Sequence, residues 1–185
     1  MAARVLTAFL RHHAVYLALW ALLALASPAA PAAPEIAEEN AVKAAFIYNF
    51  AKFSEWPDDP WSRAPRLRIC VTGNGSDLTE AVAALESKPP VRGKAVDVRL
   101  LARADEGGQC HILVITGRAS ALPVLQSLGS APVLTVGESD GFASAGGVIG
   151  LYMEGDKVRF EANPDAAQRA GLKEVPVVVK DNIHV

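Results

Sequence analysis

Cys110 and His111 stand side by side at the head of "CHILVIT", and they are the residue types of a thiol nucleophile and its base. Such a pair works only if the imidazole faces the sulfur and takes its proton. Neighbours on a strand point to opposite faces, so adjacency keeps these two apart. A strand-edge histidine is the plainer reading of His111. His184, the other histidine beyond the leader, is one residue from the C-terminus, where chains are commonly loosely held. Cys70 is the second cysteine, and no further pair exists to build a metal site. Two roles stay open for the cysteines: two buried thiols packing as small hydrophobes, or one disulfide in an oxidising compartment.

A second possibility is anion binding. "GNGSD" at residues 73–77 follows an apolar run and could cradle a phosphate at a helix start. It lacks the P-loop lysine and the third glycine of a dinucleotide fingerprint, so a tight turn with a helix cap explains it as well. Gly73, Asn74 and Gly75, with Gly137 and Glu138 of "PVLTVGE", would line a ligand cleft if one opens at the strand ends. The carboxylates are scattered. Glu161 is the exception in interest, because Arg159, Glu161 and Asn163 alternate with Val158, Phe160 and Ala162. That is a two-faced strand with a polar side, either a solvated edge or a recognition surface.

The elements that must carry these residues follow from periodicity. "AVKAAFIYNFAKFSEWP" holds five aromatics in one helix-length stretch. Val42, Phe46, Phe50 and Phe53 recur at helical spacing and predict an apolar stripe that covers a sheet. Glu38, Glu39 and Asn40 suit the start of that helix, and Pro57 stops it near Trp56. Trp56 is either a core ring or a surface ring, and surface tryptophans are enriched at binding hot spots. Strands are expected at residues 67–73, 95–101, 110–116 and 132–137. Helices are expected at 77–87, with Asp77 and Glu80 at capping-box spacing, and at 120–128. A hairpin, 148–153 with 157–163, turns at Glu154-Gly155-Asp156. Pro164 to Gly171 reads as a last short helix. Strand–helix–strand units followed by a hairpin predict an α/β fold: a three-layer α/β/α-like sandwich, its sheet mostly parallel with an antiparallel hairpin at one edge. The same pattern can set the Cys70 and Cys110 strands side by side, so we expect the two to pair.

The chain has 185 residues, enough for one domain. Arg4, Arg11, His12 and His13 precede an apolar run at residues 14–26, and "SPAAPAAP" follows. This is the order of a signal peptide, with cleavage sites available after Ala26 and Ala32. Its apolar centre is short for a membrane span. We therefore expect residues 1–32 to be a leader and 33–185 a single exported domain. The leader carries two arginines and no acid, which leaves 16 basic against 20 acidic residues, a net −4. Nothing in that balance offers nucleic acid a basic patch.

Several pieces together resemble the YfiR family of exported regulators: "AVKAAFIYNFAKFSEWP", "LRICVTG", "CHILVITG" and "PVLTVGESDGFASAGGVIGLYMEGDKVRFEANPDAAQRAGL". The resemblance runs from about Asn40 to Leu172. It implies a periplasmic, non-enzymatic protein without cofactor or metal. Such a protein binds the periplasmic part of an inner-membrane diguanylate cyclase, holds it off, and so lowers cyclic di-GMP and biofilm formation. Homodimers are implied too. Candidate partner contacts are Trp56, Arg159, Glu161, Asn163 and Leu172. The alternative function is a periplasmic small-ligand module using the Asn74, Gly75, Gly137 and Glu138 cleft. One departure stands out. Where the family pattern has a serine pair and a leucine-rich amphipathic helix, residues 172–185 form a valine-rich tail, "LKEVPVVVKDNIHV", broken by Pro176.

Overall fold

The computed structural model describes residues 33–57, 63–72, 76–117, 121–173 and 175. Residues 1–32, where the leader is expected, Asn74 and Gly75 with Gly73, and most of the C-terminal tail lie outside the described residues. Two compact units divide the chain, Met1–Ala33 and Pro34–Val185; every element below except Ala33 belongs to the second.

Helix α1 spans Ala33–Phe53. It is alanine-rich, tolerates Pro34 in its first turn, carries Glu38 and Glu39 early, and has Lys52 in its last turn. It begins several residues before the expected start. It also ends three residues before Trp56, with the Ser54 N–H still donating to the Phe50 carbonyl at 2.9 Å. The chain leaves helical geometry there, so that Trp56 can turn under and donate its ring N–H to the His111 carbonyl at 3.1 Å. Strand β1, Arg66–Thr72, follows. Next come helix α2, Asp77–Ala83, tightening into a 3-10 turn at Ala84–Ser87, and strand β2, Ala95–Leu101. A 3-10 turn at Ala104–Gln109 leads to β3, Ile112–Ile115. Helix α3 is Ala121–Leu128 and β4 is Leu134–Gly137. The hairpin is β5, Ile149–Glu154, with β6, Lys157–Ala162, and helix α4 is Pro164–Arg169. The cap of α2 is centred one residue earlier than expected: Ser76, not Asp77, is the N-cap, and its N–H reaches the Thr79 hydroxyl at 3.3 Å.

One six-stranded sheet has the order β2-β1-β3-β4-β5-β6. All pairings are parallel except β5 with β6. β3 and β4 are buried along their whole length, as central parallel strands covered on both faces must be, and this is why "ILVI" shows no alternation. One core packs α1, α2 and α4 against a sheet face, with Ile47, Phe50, Leu78 and Ala167 among its members. A smaller one, with Val124, Phe142, Leu113 and the two cysteines, lies on the opposite face under α3. The expected α/β sandwich with an antiparallel edge is therefore the fold.

The aromatic helix obeys the stripe only in part. Phe50 is 2 % exposed and meets Phe160 edge-on, with ring centroids 4.9 Å apart. Phe46 touches both rings. Phe53 is 61 % exposed and Val42 is 41 % exposed, so the expectation that both face the sheet fails. The buried side of α1 is instead Ala44, Ile47, Phe50 and Ala51.

Candidate functional site

Cys70 and Cys110 are joined in a disulfide, their Cα atoms 6.0 Å apart, inside the range such a bond requires. The Cys110 sulfur is thus not a free thiolate. His111 is buried against Trp56, with ring centroids 6.0 Å apart. Its Nδ1 accepts the Arg68 N–H at 3.0 Å, so that nitrogen bears no proton and the neutral ring carries its hydrogen on Nε2. The histidine ties the start of β3 to β1 and serves structure.

At the carboxyl ends of the strands, Gly137 does not line an open cleft. The Phe142 ring lies over it, and a Cβ on Gly137 would fall 2.3 Å from that ring. Gly147 flanks the same ring as closely, so two glycines make the slot that Phe142 fills. Glu138 is engaged with Lys43 of α1, Oε1 to Nζ 2.6 Å, and Glu39 holds the same ammonium. Burial pushes the Lys43 pKa down, but the hydrogen bonds it donates to Glu138 and Glu39 outweigh that and set it above the usual lysine value. Two members of the expected ligand cleft are therefore committed to packing and to an ion bridge.

The hairpin presents a different surface. Asn163 donates its backbone N–H to the Val148 carbonyl at 2.8 Å. By the alternation of an antiparallel ladder, Glu161, Arg159 and Lys157 also bond inward to β5, and Val158, Phe160 and Ala162 turn their backbone groups to the open edge. No described strand pairs there, since β6 ends the sheet. Tyr152 lies opposite Arg159, and Glu161 opposite Gly150, so these four share the face away from α1. A Cβ on Gly150 would approach Glu161 Oε1 to 3.0 Å, so the glycine leaves room for the glutamate to lie across the strand. Arg159 Nε meets Glu154 Oε2 at 3.1 Å, both exposed. The result is a ledge of sheet bearing Tyr152, Arg159 and Glu161, all exposed, beside an open edge. Chemically it offers backbone pairing, one aromatic and charges of both signs. That suits a protein partner better than a small molecule.

Of the sequence-named contacts, Arg159 and Glu161 come together on this ledge. Asn163 adjoins it, but its side chain is used internally: Oδ1 caps α4 by accepting the Ala166 N–H at 2.9 Å, and Nδ2 donates to the Ala143 carbonyl at 2.6 Å. Trp56 and Leu172 are 5 % and 8 % exposed, so both are core residues. They pack in the α1 core because the chain after each helix folds back onto the sheet. Tyr152 and Gly150 went unnamed in sequence. Their signal lies in the hairpin register, which Gly155 fixes by taking φ 63° in the two-residue connection.

Among the described residues no helix is long and apolar enough to cross a membrane, and no group of three metal-ligating side chains gathers. The model of the YfiR/HmsC-like family matches residues 40–180, which takes in every strand of the sheet, the aromatic turns of α1 and the ledge. With three quarters of its length inside that match, this chain belongs to the YfiR/HmsC-like family.

Proposed function

We propose that this chain works in the periplasm, after loss of its leader, as a non-enzymatic regulator. It binds the periplasmic part of an inner-membrane diguanylate cyclase and restrains it, which lowers cyclic di-GMP and biofilm formation. Membership of the YfiR/HmsC-like family supports the regulatory reading. The observation that carries the choice of surface is the ledge, where Arg159 and Glu161 stand exposed beside an edge with which no described strand pairs. A second copy of the chain would compete for the same edge in a homodimer.

Glu161→Lys tests this. A wrong-sign charge at an interface costs several kcal/mol, whereas an exposed strand residue tolerates the change within about 0.5 kcal/mol. The variant keeps a near-wild-type melting temperature, no longer co-purifies with the cyclase, and raises cyclic di-GMP in the host cell. Intact repression by a well-folded Glu161→Lys protein would place the docking surface elsewhere.

A further inference from the structure

The sheet's two faces are not equally covered. Six strands at about 4.8 Å spacing span roughly 24 Å, and a helix covers about 10 Å. On the first face α1, α2 and α4 share the task. On the second, α3 is the α-helix among the described residues, and the connection from β4 to β5 is a run of turns without a helix. Phe142 plugs one part of the resulting gap. A separate hollow of about 220 Å³, lined by members of both cores, lies between the end of α3, the start of β4, the turn at Ala145-Gly146 and the last turn of α4. It lies toward the amino ends of the strands, away from the cleft residues Gly137 and Glu138.

Its lining has two characters. Leu122, Leu125 and Leu128 of α3, with Val133 and Ala170, supply apolar wall. Arg169 supplies a cation at the rim, and no described carboxylate makes an ion pair with it. Leu122 is 53 % exposed, so the apolar wall continues to the surface instead of closing over. A hollow of about 220 Å³ has room for one ring or a short acyl chain with a head group. A guanidinium beside leucines selects a planar anion with an apolar body, because it can bind a carboxylate through two parallel hydrogen bonds.

We propose that this hollow is a binding site for small monocarboxylates with an apolar body, the carboxylate held by Arg169 and the body laid on the α3 leucines. The proposal does not depend on the cyclase reading, since the hollow and the Glu161 ledge use different residues. Phenylacetate serves as the probe, titrated into the exported protein and followed by amide chemical shifts. Binding is in the range of about 1 mM, as expected of so small a ligand. Shifts concentrate at Gly129, Ala131 and Gly146. Arg169→Gln weakens binding about tenfold while leaving the melting temperature unchanged, and the neutral phenylacetamide binds wild type and Arg169→Gln equally. Ala145→Phe, a change at an exposed position on the hollow's wall, abolishes the shifts without unfolding the chain. Shifts that fall elsewhere, no shifts at about 10 mM probe, or equal phenylacetate affinity of Arg169→Gln and wild type each overturn the assignment.

Discussion

Lys43 and Glu138 are 95 residues apart in the chain, yet Nζ and Oε1 lie 2.6 Å apart in the fold. The bridge pins the first helix to the carboxyl end of β4, and Glu39, one turn earlier, completes it. The Lys43 side chain is largely buried and that of Glu138 partly so, and charge-assisted hydrogen bonds of this kind are worth about 1.5–3 kcal/mol. We expect Lys43→Met to destabilise the protein by about 1–3 kcal/mol near neutral pH. The folded-state pKa of Lys43 lies above its ordinary 10.5, so the bridge's contribution is complete below that value and is lost as pH rises through the folded one. The difference in melting temperature between wild type and Lys43→Met should therefore hold steady at lower pH and narrow over the range above about pH 10.5. A constant difference across that range would mean that packing of the lysine stem, not its charge, holds the helix.

Phe50 and Phe53 separate core from shoulder on one helix. Phe50→Ala opens a cavity beside Phe160 and should cost about 3–5 kcal/mol in urea unfolding. Phe53→Ala, at a position 61 % exposed, should stay within about 0.5 kcal/mol. Equal losses at the two positions would contradict the helix orientation.

The disulfide closes a loop with a sequence separation of 40 residues. Loop-closure entropy for that length corresponds to about 4 kcal/mol, with about 2–4 kcal/mol typical of measured cases. The double variant Cys70→Ser/Cys110→Ser should lose stability of that order. Thiol titration of the unreduced, denatured wild type should find no free thiol, and two thiols per chain would reject the bond.

Much of this architecture is legible in local pattern. The four parallel strand–connection–strand units, the hairpin at Gly155 and the proline-opened final helix all announce themselves within about ten residues, and each appears within a few residues of its expected place. What local pattern cannot carry is the identity of long-range neighbours. Val42 and Phe53 satisfy the helical stripe as well as Phe46 does; only how the helix sits on the sheet decides which rings are covered. Glu138 looks like a cleft residue until Lys43 arrives from α1, and Gly137 looks open until Phe142 folds back over it. Trp56 shows the same limit. Its burial depends on a carbonyl at His111, 55 residues away.

Asn163 closes β6 and opens α4, and both of its side-chain groups are spent on that junction. Oδ1 accepts the Ala166 N–H at 2.9 Å, and Nδ2 donates to the Ala143 carbonyl at 2.6 Å. Removing an N-cap costs about 1 kcal/mol, and leaving a buried carbonyl without its donor adds about 1–3 kcal/mol. Asn163→Ala should therefore lose about 2–4 kcal/mol. Asn163→Asp keeps the cap acceptor but turns an oxygen toward Ala143, so it should fall between wild type and alanine. Because neither group is left over for a partner, Asn163→Ala should, on the proposed function, still restrain a diguanylate cyclase at temperatures well below its own melting point, unlike Glu161→Lys. The discriminating measurement pairs the unfolding curve of each variant with its co-purification yield. An Asn163→Ala protein that stays as stable as wild type yet fails to co-purify would make Asn163 a direct contact, and would show that the junction is held by something other than its side chain.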